Sequence, residues 1–194
     1  MTTNARLPLL LAIAATFAVL LTTMLNAAQP TQPPQLAAAE AEAVIPRPIW
    51  TTIGSTGTPD ESSKPKLKFT ENRALVKSSG RVFLRYDIHP NTDVAAEGNG
   101  LAVYVRFQDN GSKARVRLWL RELNVWEGTI RTVGWFDSNW YTARPEPQIK
   151  AVGLCDFEFN VTNNVYYLEA ELERNNAHGR PALDAVQIFP YVCE

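Results

Sequence analysis

From Trp50 to Glu194 apolar side chains recur at every second position, and Gly, Asn, Asp and Pro interrupt them at strand-like intervals. A helix would need a repeat near 3.6, so this alternation commits the segment to half-buried β-strands. The pattern is sharpest around Asn110-Gly111: Leu101, Val103, Val105 and Phe107 come before it, and Ala114, Val116, Leu118 and Leu120 follow. An Asn-Gly type I′ turn would set Asp109 opposite Ser112 and make a hairpin that pairs Phe107 with Ala114, Val105 with Val116, Val103 with Leu118 and Leu101 with Leu120. The same register sets Arg106 beside Arg115, Tyr104 beside Arg117 and Ala102 beside Trp119. A slip of one residue would mix core and surface faces.

A second hairpin is expected near the C-terminus. Tyr166, Leu168, Ala170 and Leu172 alternate with Tyr167, Glu169, Glu171 and Glu173, residues 175–181 carry turn chemistry, and residues 182–189 return with Val186 and Ile188 as core positions. Further strands are expected over 82–88, 129–136, 148–153 and 156–161, with shorter ones near 50–53 and 66–76. Such a series of short strands without a helix predicts an all-β fold, an antiparallel two-sheet sandwich of jelly-roll type.

The sequence before this domain is of another kind. Arg6 precedes an uncharged run over residues 7–28 that closes on Ala27 and Ala28, the order of a secretory signal peptide. A run of about 20 apolar residues also suffices to span a bilayer, so an uncleaved anchor is the competing reading. Residues 29–48 hold Pro30, Pro33, Pro34, Pro46 and Pro48 among Gln and Ala, a spacer composition. The expected organisation is therefore a signal or anchor over 1–28, a spacer over 29–48 and a β domain over 49–194, secreted or periplasmic, or anchored with the domain outside. The only two cysteines, Cys155 and Cys193, are expected to form a disulfide in an oxidising compartment.

The stretches CDFEFNVTNNVYYLEAELERNNAHGRPALDAVQIF and VRLWLRELNVWEGTIRTVGWFDSN resemble small secreted bacterial β-sandwich proteins of unassigned function. They are also loosely similar to jelly-roll carbohydrate-binding modules in the cadence of their last strands. The resemblance spans residues 80–190 and rests on pattern. It implies the sandwich fold and carries no binding residue over to this chain.

A net charge of -1 with 20% charged residues excludes a dedicated nucleic-acid binder, but it hides a segregation. Residues 64–131 carry 13 Lys and Arg against 7 Asp and Glu, and residues 132–194 carry 4 against 9. On one face of the strand after the Asn-Gly turn lie Arg115, Arg117 and Trp119, with Tyr104 and Arg106 expected on the strand beside it. Together these would form a basic, aromatic platform for an anionic polymer. The simpler reading is a solvated face whose charges are answered by Glu169, Glu171 and Glu173 on a neighbouring strand. The segment 135–147 reads as an aromatic loop suited to stacking on sugar rings. Large aromatics also fill sandwich cores, so of the tryptophans at 119, 126, 135 and 140 at least two are expected inside, with Trp119, Trp140 and Tyr141 taken as the exposed ligand contacts. Asn110-Gly111-Ser112 and Asn160-Val161-Thr162 match the glycosylation triplet, a pattern that also arises by chance.

No nucleophile elbow, HExxH, phosphate loop or dinucleotide fingerprint occurs, and His89 and His178 are too far apart for a spacing-defined metal site. No cofactor or catalytic residue is expected. Three classes of function stay open: a secreted binding or adhesion module for polysaccharide or cell-envelope material, a surface assembly protein acting through protein contacts, and, as the least favoured, a glycan hydrolase with its two carboxylates on distant strands. A membrane contact is expected only through the N-terminal segment, if it stays uncleaved.

Overall fold

The computed structural model of the protein describes residues 47–90 and 99–193. The expected signal or anchor over 1–28 and most of the spacer lie outside them. Eleven strands occur among the described residues: β1 (Trp50–Ile53), β2 (Thr58–Pro59), β3 (Leu67–Phe69), β4 (Ala74–Val76), β5 (Gly80–Ile88), β6 (Gly100–Asp109), β7 (Ala114–Asn124), β8 (Ile130–Asp137), β9 (Arg144–Cys155), β10 (Asn164–Arg174) and β11 (Ala182–Tyr191). They build two antiparallel sheets. The first runs β3-β4-β11-β6-β9, with β1 also paired to β11, and the second runs β2-β5-β10-β7-β8. The orders β4-β11-β6-β9 and β5-β10-β7-β8 are the interleaved double Greek key of a jelly roll.

The alternation does what burial requires. Leu101, Val103, Val105 and Phe107 on β6, Val116, Leu118 and Leu120 on β7, Leu168 and Leu172 on β10, and Val186 and Ile188 on β11 are all buried between the sheets. Phe107 meets Phe136 of β8 edge-on with ring centroids 5.1 Å apart, so both sheets contribute aromatic weight to one core.

Neither expected hairpin forms. β6 lies between β11 and β9 in the first sheet, while β7 lies between β10 and β8 in the second. The Asn110-Gly111 connection therefore carries the chain across the sandwich, and so does the 175–181 connection between β10 and β11. The apolar side chains expected to pair beside one another instead line the core from opposite sheets, which preserves the inward positions and changes the partners. A type I′ turn needs positive φ at both central residues. Gly111 has φ 107°, but Asp156 is the only non-glycine residue with positive φ among those described, so Asn110 keeps a negative φ. Its side chain instead holds the other crossing loop: Asn110 Nδ2 donates to the His178 carbonyl at 2.8 Å, and Asn110 Oδ1 accepts from the Arg180 N–H at 2.7 Å. The chain's long in-sheet hairpin is β7–β8, turning through residues 125–129.

Residues 156–161 also depart from expectation, since they form no strand. Asp156, at φ 54°, breaks β9, and Phe157 and Phe159 then fold over the end of the core against Tyr166. The disulfide Cys155–Cys193 is present, with Cα atoms 5.7 Å apart, and ties the end of β9 to the segment after β11. Closing a loop of this length stabilises by about 4 kcal/mol in the chain-entropy account.

Candidate functional site

Strand register fixes what the outer face of the first sheet carries. Arg106, Tyr104, Ala102 and Gly100 point outward from β6. In register with them are Ala185, Gln187, Phe189 and Tyr191 on β11, and Ile149, Ala151, Gly153 and Cys155 on β9. The floor is the small residue Ala102, and on β9 Gly153 and Ala151 stand in register beside it and Tyr104. Phe189 and Tyr191 rise on one side, with Tyr104 and Ile149 across from them. Small residues between large ones leave a trough of about 460 Å³. It runs about 14 Å along β11 from Gln187 to Tyr191, at the usual rise per strand residue.

Its walls are held rather than loose. Tyr104 and Phe189 meet edge to face with centroids 5.1 Å apart, and Tyr104 keeps 39% of its surface exposed. At one end Arg106 lies over the buried Asp184 at 3.4 Å, and Arg73 takes the other oxygen of the same carboxylate at 2.6 Å. Two guanidiniums on one carboxylate leave a net positive charge there. Gln187 turns its amide toward the Thr51 hydroxyl at 3.5 Å. At the other end Gly100 packs under the disulfide: a Cβ there would meet the Leu154 carbonyl oxygen at 2.5 Å and Cys193 Sγ at 2.9 Å. The trough lining offers phenol, indole-free aromatic and aliphatic surface with one amide, and it contains no carboxylate, imidazole, thiol or serine. Among the described residues no three His, Cys, Asp or Glu side chains are grouped to hold a metal ion.

The expected basic platform does not form as one surface. Tyr104 and Arg106 face outward from the first sheet, and Arg115, Arg117 and Trp119 face outward from the second, on the opposite side of the sandwich. On the second sheet the charges are answered in place. Arg115 donates to Asp137, Arg117 donates to Glu171 at 2.6 Å, Arg121 lies 3.6 Å from Glu169, and Arg81 lies 3.2 Å from Glu173. The basic and acidic halves of the sequence meet here, β7 against β10. Trp119 is clamped between the guanidiniums of Arg117 and Arg121, 5.4 and 5.7 Å from its ring centre.

The expected order of tryptophan exposure is also revised. Trp140 packs edge-on against Trp135 with centroids 4.3 Å apart and is half-buried. Tyr141 stacks on Phe136 and donates its hydroxyl to the Ala151 carbonyl at 3.2 Å, and burial pushes its ionisation up. The exposed tryptophans are Trp126, at 81%, and Trp135, at 44%. The segment 135–147 is less a loop than the end of β8, one 3-10 turn at Ser138–Trp140 and the start of β9. The trough also takes Phe189, Tyr191 and Ile149, which are not among the site residues expected from the sequence. The signal for them was present, because all three are large and apolar at positions whose neighbours point inward.

No protein-family model matches the chain, and no curated protein matches it in sequence. Solved structures that are similar in shape include the xylan-binding module CBM15, at 8% identity and TM-score 0.38, covering 66% of this chain and 84% of that one. The CBM22-1 xylan-binding domain from Paenibacillus barcinonensis is similar at 11% identity and TM-score 0.40, covering 77% of this chain and 98% of that one. A family two carbohydrate esterase from Cellvibrio japonicus is similar at 12% identity and TM-score 0.38 over 73% of this chain, which spans 33% of the esterase's length.

Proposed function

We propose that the chain is an exported, non-catalytic binding module whose β domain, residues 49–194, holds polysaccharide or related cell-envelope material in the trough on the first sheet. The observation that carries this reading is the trough itself: an open channel of about 460 Å³ walled by Tyr104, Ile149, Phe189 and Tyr191 over Ala102. Sugar rings have apolar faces that stack on aromatics and rims of hydroxyls that need donors and acceptors. Tyr104 and Gln187 supply those within the trough, and Arg106 stands beyond its end. A lining free of carboxylate, imidazole and thiol favours retention over turnover. The disulfide and the uncharged run over 7–28 favour export.

The reading is tested by affinity electrophoresis of the chain through gels containing soluble plant and bacterial polysaccharides. Retardation by at least one glycan, abolished by Tyr104→Ala and kept by Trp119→Ala, is the expected result. Retardation lost with Trp119→Ala and kept with Tyr104→Ala would move the site to the second sheet, and turnover of the glycan would make the chain a hydrolase.

A further inference from the structure

At one corner of the second sheet the fold leaves a group of apolar side chains in water. Val165, Leu123 and Ile130 form one row across β10, β7 and β8 on the outer face. Val125 and Trp126 in the β7–β8 turn, and Val161 in the turn before β10, extend the row past the end of the sheet. Trp126 is 81% exposed, and Val125 and Ile130 are each 57% exposed. A soluble protein seldom gathers such residues on a tip without a partner.

The tip asks little of the water around it. The Val125 N–H donates to the Asn163 carbonyl at 3.0 Å, and the N–H groups of Trp126 and Glu127 both donate to Asn124 Oδ1 at 3.0 Å. The Gly128 N–H donates to the Asn124 carbonyl at 2.9 Å, and the Trp126 indole N–H donates to Asn163 Oδ1 at 3.3 Å. Every backbone donor from 125 to 128, and the indole, is thus satisfied within the two loops. A sugar or a polar protein surface would ask for free donors here, whereas an apolar phase penalises each one left over. The patch also protrudes as loops instead of forming a groove, which suits a soft planar partner. The corner carries no excess of basic charge, since Arg131 is paired to Glu122 at 2.8 Å and Glu127 at the turn adds one negative charge.

The place of the corner in the fold points the same way. Trp50 is in register with Ile188, and its indole donates to the Asp87 carbonyl at 3.2 Å, next to Ile88, which pairs with Tyr166 at the start of β10. The chain leading from the uncharged residues 7–28 therefore joins the domain at the same end as the Trp126 turn. We propose that this corner seats in the interfacial layer of a lipid bilayer, with Trp126 as its deepest side chain, a membrane contact separate from the N-terminal segment. Tryptophan favours that layer, and a corner without excess basic charge calls for zwitterionic lipid, with no gain from anionic lipid.

The test uses the full chain with phosphatidylcholine vesicles whose acyl chains carry bromine, which quenches tryptophan on contact. Residues 7–28 can hold the chain on a vesicle by themselves, so the readout is quenching assigned to Trp126 and not association alone. The expected result is quenching in the parent chain that falls in Trp126→Phe, with the circular dichroism unchanged. Val125→Asp, which leaves Trp126 as the reporter, should lower that quenching about tenfold, as expected for losing one buried apolar side chain and introducing a charge. Quenching equal in the parent chain and Trp126→Phe, with Trp126 still open to iodide, would overturn the proposal. Sedimentation in which Trp126→Asp turns a dimer into a monomer would overturn it too and give the corner to a second copy of the chain. The vesicles contain no glycan, so neither outcome bears on the trough.

Discussion

Asn110 and Arg180 belong to two different sheet-to-sheet crossings, and the side chain of the first accepts the backbone N–H of the second at 2.7 Å. With the companion bond from Asn110 Nδ2 to the His178 carbonyl, one asparagine fixes the two connections side by side, β6 to β7 against β10 to β11. That places β11 beside β6 in the first sheet and β10 beside β7 in the second. The trough depends on this, since its lining comes from β11, β6 and β9 side by side.

Replacing Asn110 with Ala removes both bonds from an exposed junction. The expected loss is about 1–2 kcal/mol, at the upper end of what two such bonds contribute when one donor is left to water. Urea unfolding checks it, and Asn110→Asp, which keeps only the acceptor, should fall between the two.

The pair Arg117–Glu171 is the most enclosed link of the ladder on the second sheet, with 19% and 4% of the two side chains exposed. Glu171 also faces Arg81 at 3.3 Å, so losing Arg117 leaves its charge half answered. Arg117→Ala should destabilise by roughly 2–3 kcal/mol, below the full figure for an isolated buried pair. The double change Arg117→Met with Glu171→Leu should recover most of that loss in the same denaturation assay.

Asp109 sits buried at the end of β6, accepting from the Ser138 hydroxyl and from the Gly111 N–H, and desolvation raises its pKa. A carboxyl whose folded pKa lies above its unfolded one contributes most below the unfolded value and loses that contribution as pH rises through the folded pKa. Asp109→Asn does not titrate. Its stability relative to the parent chain should therefore rise from pH 4 to pH 8, and a flat difference across that range would contradict the assignment.

How much of this was legible in the sequence depends on what each inference needed. Parity was enough to name Val105, Leu118, Leu172 and Ile188 as core, because alternation reports which way a side chain points. It could not name partners. In a sandwich, a strand beside β6 and a strand across the core from it bury the same alternate residues, so the pairing of Val105 with Val116 looks equally good in either geometry. The backbone decided it, through Asn110 remaining at negative φ. The same gap split the expected site, since Tyr104 and Arg117 share a parity but not a sheet. Phe189 was visible as an apolar residue at an outward position, yet its contact with Tyr104 depends on two strands far apart in sequence lying side by side. The exposure of Trp126 is not legible because large aromatics are usually core, and its fixed, mostly exposed place rests on Asn124 and Asn163.

Removing the disulfide by Cys155→Ala with Cys193→Ala should lower stability by about 4 kcal/mol. Gly100 and Tyr191 border that link, so glycan retention should weaken more than for Asn110→Ala, which perturbs the other end of the sandwich. Thermal melting and affinity electrophoresis on the same samples measure the two effects.

The account turns on which face of the sandwich meets a ligand, and amide chemical-shift mapping with a soluble glycan that retards the chain measures this directly. The predicted result is a continuous set of shifted amides at Ala102, Tyr104, Ile149, Gln187, Phe189 and Tyr191, with Arg115, Arg117 and Trp119 unmoved. Shifts confined to the second sheet, with the trough silent, would contradict it.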